Sequence, residues 1–163
     1  MGLKDVTLKT TEGIFNYRVG AIIINSDNIL MVKNENSPFY YSVGGRVKFG
    51  ETAQEAVLRE VFEETQIQFE IDRLSFIHEN FFIVENELYH EIAFFYLMKP
   101  HDKVSEMKNN KFKEYDVEET LNWLPINDFE NLRLYPEFFK TELKSMSNDV
   151  KSFVTRDEIT FRL

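Results

Sequence analysis

A single well-delimited helix between β-rich stretches constrains the fold more than any other feature of this sequence. Thr52 and Glu55 have the spacing of a capping box, which predicts a helix from about residue 53 to Thr65. Strands are predicted before this helix at 14–24, 29–32 and 39–43, and after it at 74–84, 87–98 and 121–125. Strands with interspersed helices predict an α/β or α+β layered domain.

The other segments have weaker patterns. Residues 99–119 are polar and charged, which predicts a long loop, and such loops in compact domains are often functional. A second helix is expected from about Pro136 to Ser145, since Pro suits the first helical turn, and 150–162 has strand character. Residues 93–98 are apolar on both faces, which predicts a central strand. The length of 163 residues without a linker favours one domain over 1–163.

Charge and cysteine content argue against several classes of function. The net charge of −9 would repel a phosphate backbone, so we expect no nucleic-acid partner. The absence of Cys excludes disulfides and thiol chemistry. No run approaches the roughly 20 apolar residues of a membrane span, and the first residues lack an apolar signal core. We therefore expect a cytoplasmic protein with no membrane partner, and the sequence leaves a homodimer open.

Three carboxylates crowd together on the predicted helix. Glu60, Glu63 and Glu64 have i, i+3, i+4 spacing, so their side chains are neighbours. Such like-charged pairs cost roughly 0.2–0.5 kcal/mol each, and the helix macrodipole disfavours negative charge near the C-terminus. A divalent cation would reverse both effects, since Mg²⁺ and Mn²⁺ prefer oxygen ligands. A solvated acidic face is the ordinary alternative. The apolar residues are predicted to fall on another broad side of the helix: Val57, Leu58, Val61 and Phe62.

The residues around this cluster resemble a family signature. The pair Gly44-Gly45 and Gly50 bracket a loop that leads into the helix and is suited to close approach of the backbone to a ligand. Gly45, five residues, Glu51, seven residues and then Arg59-Glu60-Val61-Phe62-Glu63-Glu64 resemble the signature of the Nudix hydrolases, of the MutT-like kind. The pattern departs from the family at Gln66, where the family has Gly, and at Val43, where Pro commonly precedes the glycine pair.

The resemblance implies a Nudix-type α/β/α sandwich around a mixed β-sheet. It also implies hydrolysis of a nucleoside diphosphate derivative that depends on Mg²⁺ or Mn²⁺. By position, Glu60, Glu63 and Glu64 would be the metal ligands, with the carbonyl of Gly45 as a further candidate. Two cationic side chains and one backbone group are candidates for contacting substrate phosphates: Arg18, Arg46 and the backbone of Gly45.

The resemblance implies two kinds of catalytic role: residues that orient the helix and the loop, and a general base. Glu51 and Arg59 would orient the helix and the preceding loop rather than react. The general base is left open between a helix glutamate and a glutamate of a remote loop. Glu63 comes first and Glu118 or Glu119 second. An ordinary surface acid is the alternative interpretation for each remote glutamate, whether from the loop or from a strand: Glu91, Glu114, Glu118 and Glu119.

Neither the substrate nor catalysis itself is fixed by the sequence. The marks of several Nudix subfamilies are absent, which leaves nucleoside triphosphates, oxidised ones included, as the default small-molecule substrates, with a nucleoside monophosphate as product. A nucleotide-sensing or regulatory module without catalysis is the alternative that the departures at Gln66 and Val43 leave open, because a fold does not fix a function. A structural or interaction protein with an incidental acidic helix is the third alternative.

Overall fold

The computed structural model describes residues 2–107, 111–114 and 117–157. Two helices, α1 (Ala53–Thr65) and α2 (Phe139–Glu142), and two 3₁₀ segments, Asp102–Glu106 and Ile126–Asp128, accompany a set of strands. In chain order the strands are β1 (Thr7–Lys9), β2 (Ile14–Ile22), β3 (Ile24–Asn25), β4 (Asn28–Asn34), β5 (Tyr40–Arg46), β6 (Ile71–Val84), β7 (Glu87–Met98), β8 (Lys111–Glu114), β9 (Val117–Pro125), β10 (Leu134–Tyr135) and β11 (Lys151–Arg156).

These strands form a mixed sheet. Its main order is β11-β6-β7-β2-β5-β4-β9-β8, with β1 beside β2, β3 beside β4 and β10 beside β5. The pairs β2–β7, β6–β11 and β5–β10 are parallel, while the other described pairs are antiparallel. β7 lies between β6 and β2, so the prediction that 93–98 belongs to a central strand is confirmed.

Hydrophobic cores cover both faces of the sheet. Along β4, Leu30 and Val32 belong to one core, and Ile29 and Met31 to the other. Alternate residues of a strand point to opposite faces, so the two cores lie on opposite sides. The first core packs under α1, and the second contains Phe139 of α2. The expected α/β/α arrangement around a mixed sheet is therefore confirmed.

Helix α1 begins and ends where the sequence predicts. The Thr52 hydroxyl accepts from the amide of Glu55 at 3.2 Å, and the Glu55 carboxylate accepts from the amide of Thr52 at 2.7 Å. Gln66 follows the helix in the left-handed conformation, with φ of 60°. Its side-chain amide donates to the carbonyls of Phe62 and Glu63 at 3.2 and 3.0 Å. Gln66 thus satisfies the last carbonyls with its own side chain, in a conformation that favours glycine.

Two predicted segments differ from the structure. The prediction of a loop over 99–119 is wrong, because this stretch holds a 3₁₀ segment, β8 and the start of β9. β8 and β9 lie at one end of the sheet. A strand at a sheet edge can carry many polar and charged side chains, so the composition of this stretch resembles that of a loop. The predicted helix 136–145 is shorter in the structure, where α2 covers only Phe139–Glu142. Aromatic side chains packed into the second core position this region, and a long helix is not needed to bury them. Strand character after Val150 is confirmed at Lys151–Arg156, and 158–162 lie outside the described residues.

Among the helices that the structure describes, none combines the length and the apolar character that crossing a membrane requires.

Candidate functional site

The face of α1 that meets the sheet carries two carboxylates. Glu60 and Glu64 are each only 8% exposed, beside fully buried residues of the same stripe. Leu58 and Phe62 are 37% and 41% exposed, so only part of the predicted apolar side is buried. The buried stripe follows the spacing 57, 60, 61 and 64, which is one helical face. The helix thus directs Glu60 and Glu64 toward β5.

The glycine pair of β5 makes room for these carboxylates. A Cβ at Gly45 would lie 2.5 Å from Cδ of Glu60, closer than any real contact. Gly44 has φ of 144°, and its amide donates to Oε1 of Glu64 at 3.0 Å. A Cβ at Gly44 would lie 2.2 Å from the carbonyl oxygen of Val19 on β2. Gly44 therefore requires glycine, whereas a side chain at Gly45 would displace the Glu60 carboxylate, so the pair seats the two helix carboxylates against the backbone.

The guanidinium of Arg59 joins the loop before α1 to the acidic helix face. It donates to both carboxylate oxygens of Glu51, at 2.6 and 3.1 Å, and to Oε1 of Glu60 at 2.7 Å. It also donates to Oε2 of Glu63 at 3.2 Å and to the carbonyl of Arg46 at 3.1 Å. Hydrogen bonds from Arg59 hold the pKa of Glu51 below its usual value, and Glu51 in turn raises the pKa of Arg59. Arg59 therefore fixes the positions of Glu51 and Glu60.

Two cavities meet beside this cluster. The smaller one, of about 200 Å³, is lined by Gly45, Glu60 and Glu63 together with Arg46 and Lys48. The larger cleft, of about 970 Å³, is lined on one side by Glu64, Glu91 and Glu119. Arg18 and Gly44 line both cavities. The predicted site residues Arg18, Gly45 and Arg46 are therefore brought together at the junction of an acidic helix face with a large cleft.

The remote glutamates occupy different positions. Glu119 lines the large cleft, where burial raises its pKa, and it accepts from the amide of Asn34 at 3.4 Å. Glu118 lines neither cavity, because neighbouring residues of a strand point to opposite faces. Of the two remote glutamates predicted as candidate bases, Glu119 is therefore the one that lines the cleft, and the role of each stays a prediction. Glu91 is 8% exposed and lies 3.8 Å from Arg18, while the side chain of Glu114 lies outside the described residues.

The NUDIX domain family matches residues 15–143. The chain belongs to the NUDIX domain family. It is 46% identical over 52 residues to a putative 8-oxo-dGTP diphosphatase of Bacillus subtilis, covering 30% of this chain and 35% of that protein. It is also 46% identical over 50 residues to an ADP-ribose pyrophosphatase of Methanocaldococcus jannaschii, covering 29% and 30%. The match thus spans about a third of the length of these curated relatives.

Structural comparison of this NUDIX domain supports the fold. The crystal structure of a MutT protein from Bacillus halodurans superposes with a TM-score of 0.64, over 86% of this chain and 90% of that chain. At 20% sequence identity this likeness concerns the fold alone. Members of the family generally use a divalent metal ion.

The residues of this NUDIX domain suit such an ion chemically, although their carboxylates do not converge fully. Within the described ranges, no three Asp, Glu, His or Cys side chains already form a group that could hold a metal. Arg59 bridges Glu60 and Glu63, while Glu64 bonds to the amide of Gly44. The donors are nonetheless carboxylate oxygens, which hard divalent cations prefer. They border a cavity that a side chain at position 45 would narrow.

Sequence reasoning missed the polar lining of the large cleft. Four polar side chains from three separate strands line it: His78, Asn80, Tyr135 and Thr155. His78 and Asn80 are two residues apart in β6, so their shared face could have been predicted from strand periodicity. Their meeting with Tyr135 and Thr155 depends on strand pairing that no local pattern reveals.

Proposed function

We propose that this NUDIX domain, as a single domain over residues 1–163, hydrolyses a phosphoanhydride bond in a nucleoside diphosphate derivative and releases a nucleoside monophosphate. The cofactor would be Mg²⁺ or Mn²⁺. One observation carries the proposal: the Glu60 carboxylate is seated on Gly45 and held beside Glu63 by Arg59, at a cavity that opens to the large cleft. The names of the two curated relatives, a diphosphatase and a pyrophosphatase, support the type of bond.

Glu60, Glu63 and Glu64 would hold the cation, with the backbone of Gly45 at its side. A bound divalent ion neutralises charge on phosphate oxygens and lowers the pKa of the attacking water. Arg59 would keep Glu60 in place through its pairing with Glu51, which makes both Arg59 and Glu51 positioning residues. This arrangement separates the groups that hold the ion from the groups that fix the loop and helix.

The other charged residues at the site would contact the substrate phosphates or accept a proton from the attacking water. Arg18 lies where the two cavities meet, so its guanidinium can contact a phosphate that spans them. The Glu63 side chain is 53% exposed, which leaves it accessible to a water molecule as the general base. Glu119 is the second candidate base, since it lines the cleft and burial raises its pKa. The net charge of −9 would repel an anionic substrate elsewhere on the surface, so local cations are needed at the site.

The test is a nucleotide panel with product identification. Nucleoside triphosphates, including an oxidised one, and nucleoside diphosphates linked to sugars would be incubated with Mg²⁺, with Mn²⁺ or with a chelator. Anion-exchange chromatography would identify products, and ¹⁸O-labelled water would show which phosphorus is attacked. We expect hydrolysis that requires the metal and falls by about a hundredfold or more in Glu60→Gln and Glu63→Gln, since both remove a metal ligand.

A matched control is Glu70→Gln, because Glu70 pairs with Lys99 at 2.7 Å on the exposed surface. This variant should retain wild-type turnover. A wild-type protein that hydrolyses nothing in the panel with either metal would contradict the proposal. Tight nucleotide binding without turnover would favour the nucleotide-sensing module instead.

A further inference from the structure

The segment that precedes β1 is bonded to the loop that leads into α1. The amide of Val6 donates to the carbonyl of Val47 at 2.7 Å. The carbonyl of Lys4 accepts from the amide of Phe49 at 2.9 Å. Asp5 lies between Lys4 and Val6, so the backbone is held on both sides of this carboxylate.

An isolated bridge directs the Asp5 side chain to the small cavity. Asp5 pairs with Lys48 in an antiparallel bridge, and partners across such a pair project to the same face. Both side chains line the small cavity, together with Glu60 and Glu63 of α1. Residues 4–6 precede residue 15, where the family match begins, so this carboxylate is not part of the matched NUDIX segment.

Asp5 faces the guanidinium of Arg46. Oδ2 of Asp5 lies 3.7 Å from Nη1 of Arg46, which is near enough for attraction between the charges and too far for a hydrogen bond. Among the residues that the structure describes, Nε of Arg46 is buried and has no hydrogen-bond partner. The carboxylate therefore attracts the guanidinium without occupying its donors, which a phosphate can use.

Arg46 also lies directly opposite a second arginine. Arg18 of β2 and Arg46 of β5 are cross-strand partners, and like charges in such a pair repel each other. Each arginine has a carboxylate at a similar distance, with Glu91 3.8 Å from Arg18 and Asp5 3.7 Å from Arg46. Glu91 lines the large cleft and Asp5 the small cavity, so the two guanidinium groups are attracted toward different cavities.

Stability alone does not account for the pair of Asp5 and Arg46. Their side chains are 27% and 36% exposed, and ion pairs near the surface contribute little to the free energy of unfolding. Asp5 also adds a negative charge to a cavity that already contains Glu60 and Glu63, and these charges repel one another. A carboxylate at this place is explained if it holds Arg46 in one orientation.

We propose that Asp5 is a positioning residue of the site, which orients the Arg46 guanidinium toward a phosphate of the substrate. The presence of that phosphate rests on the proposed function. Asp5 acts through Arg46, and the backbone bonds on both sides of Asp5 keep its carboxylate in place. A guanidinium that is aligned in advance loses less conformational freedom when the phosphate enters. Residues 4–6 then belong to the functional unit, although the family match begins after them.

The experiment is a double-mutant cycle, measured by steady-state kinetics on the preferred nucleotide with Mg²⁺. Asp5→Asn removes the charge and keeps the shape. Arg46→Met removes the guanidinium and keeps the backbone carbonyl, which accepts from Arg59 at 3.1 Å. Asp72→Asn is the matched control, since Asp72 also pairs with an arginine, Arg73, but lines neither cavity. Thermal unfolding would show that each variant is folded.

We expect Asp5→Asn to lower kcat about fivefold, because alignment of Arg46 matters most for the charge that develops in the transition state. KM should change less than about twofold, since the lost orientation weakens the contact with phosphate while the lost negative charge favours it. In the Arg46→Met background, Asp5→Asn should have no further effect. Independent, multiplicative effects in the double variant would overturn the inference. A lower KM at unchanged kcat would also overturn it, because Asp5 would then compete with the phosphate for Arg46.

A nuclear magnetic resonance measurement separates this inference from the proposed function. The Nε–H resonance of Arg46, assigned by its loss in Arg46→Met, would be followed during titration with inorganic pyrophosphate and Mg²⁺. We expect Asp5→Asn to shift this resonance before the titration and to reduce its response to pyrophosphate, while Asp72→Asn changes neither. These changes in a protein that hydrolyses no nucleotide would uphold the positioning role and contradict hydrolysis. Normal hydrolysis with an Arg46 resonance that is unaffected by Asp5→Asn would overturn this inference alone.

Discussion

Replacing Arg59 by Met tests whether one guanidinium holds the acidic face of α1 together. The Arg59 side chain is 22% exposed, and its partners Glu51 and Glu60 are 14% and 11% exposed, so the cluster is largely desolvated. Removing one partner of a buried ion pair costs about 3–5 kcal/mol, because the other charge is left uncompensated. Exposed pairs contribute only about 0–1 kcal/mol. At this partial burial we expect Arg59→Met to lower the free energy of unfolding by about 3 kcal/mol.

The assay is urea denaturation at pH 7, with Arg73→Met as the matched control. Arg73 pairs with Asp72 at 2.5 Å, but Asp72 is 43% exposed, so this substitution should cost less than about 1 kcal/mol. Equal costs for the two substitutions would refute the reasoning. Arg59 holds the pKa of Glu51 below 4.5, so the stability it provides is present above about pH 4.5 and is lost as pH falls further. The difference between wild type and Arg59→Met should therefore shrink on acidification.

Three further substitutions probe the site and its surroundings. Gly45→Ala should lower kcat about a hundredfold, because a Cβ 2.5 Å from Cδ of Glu60 must displace that carboxylate. Steady-state kinetics on the preferred nucleotide would check this prediction, and an unchanged kcat would argue against the seating of Glu60 on Gly45. Gln66→Gly should raise the free energy of unfolding, measured by urea titration, by up to about 1 kcal/mol, since glycine adopts φ of 60° without cost. A decrease would show that the hydrogen bonds of the Gln66 side chain outweigh the backbone strain at this residue. His78 has a pKa of about 4 when folded and 6.5 in the reference state, so the unfolded chain binds a proton first as pH falls. Wild-type stability should drop by about 2 kcal/mol between pH 8 and pH 5 through this group, and His78→Gln should flatten that part of the pH profile measured by thermal unfolding.

Local signals predicted the elements that depend on neighbouring residues. Thr52 and Glu55 marked the start of α1 correctly. The predicted strands 74–84 and 87–98 left Glu85 and Asn86 between them, and both residues adopt positive φ in the turn between β6 and β7. The spacing of Gly45, Glu51 and the acidic helix anticipated the groups that meet at the small cavity.

Features that depend on distant pairing were not predictable in this way. Strand β9 pairs with β4, and β8 pairs with β9 at the end of the sheet, so the charged composition of 111–119 concealed these strands. Glu60 is 8% exposed and Leu58 37%, so side-chain polarity is a poor guide to burial on α1. The glycine pair of β5 makes room for the buried carboxylates, which no pattern within the helix reveals. A row of polar residues joins Asn16 to Thr155 through three strand pairings, which no short stretch of sequence encodes.

The last described strand has a consequence for how this protein can change. β11 supplies Thr155 to the cleft from outside the segment that matches the NUDIX family, while α1 and the glycine pair lie wholly inside it. One wall of the large cleft therefore comes from a strand outside the matched segment, although most of the cleft lies within it. Exchange of Lys151–Arg156 would change that wall and leave the sequence of α1 and of the glycine pair as it is.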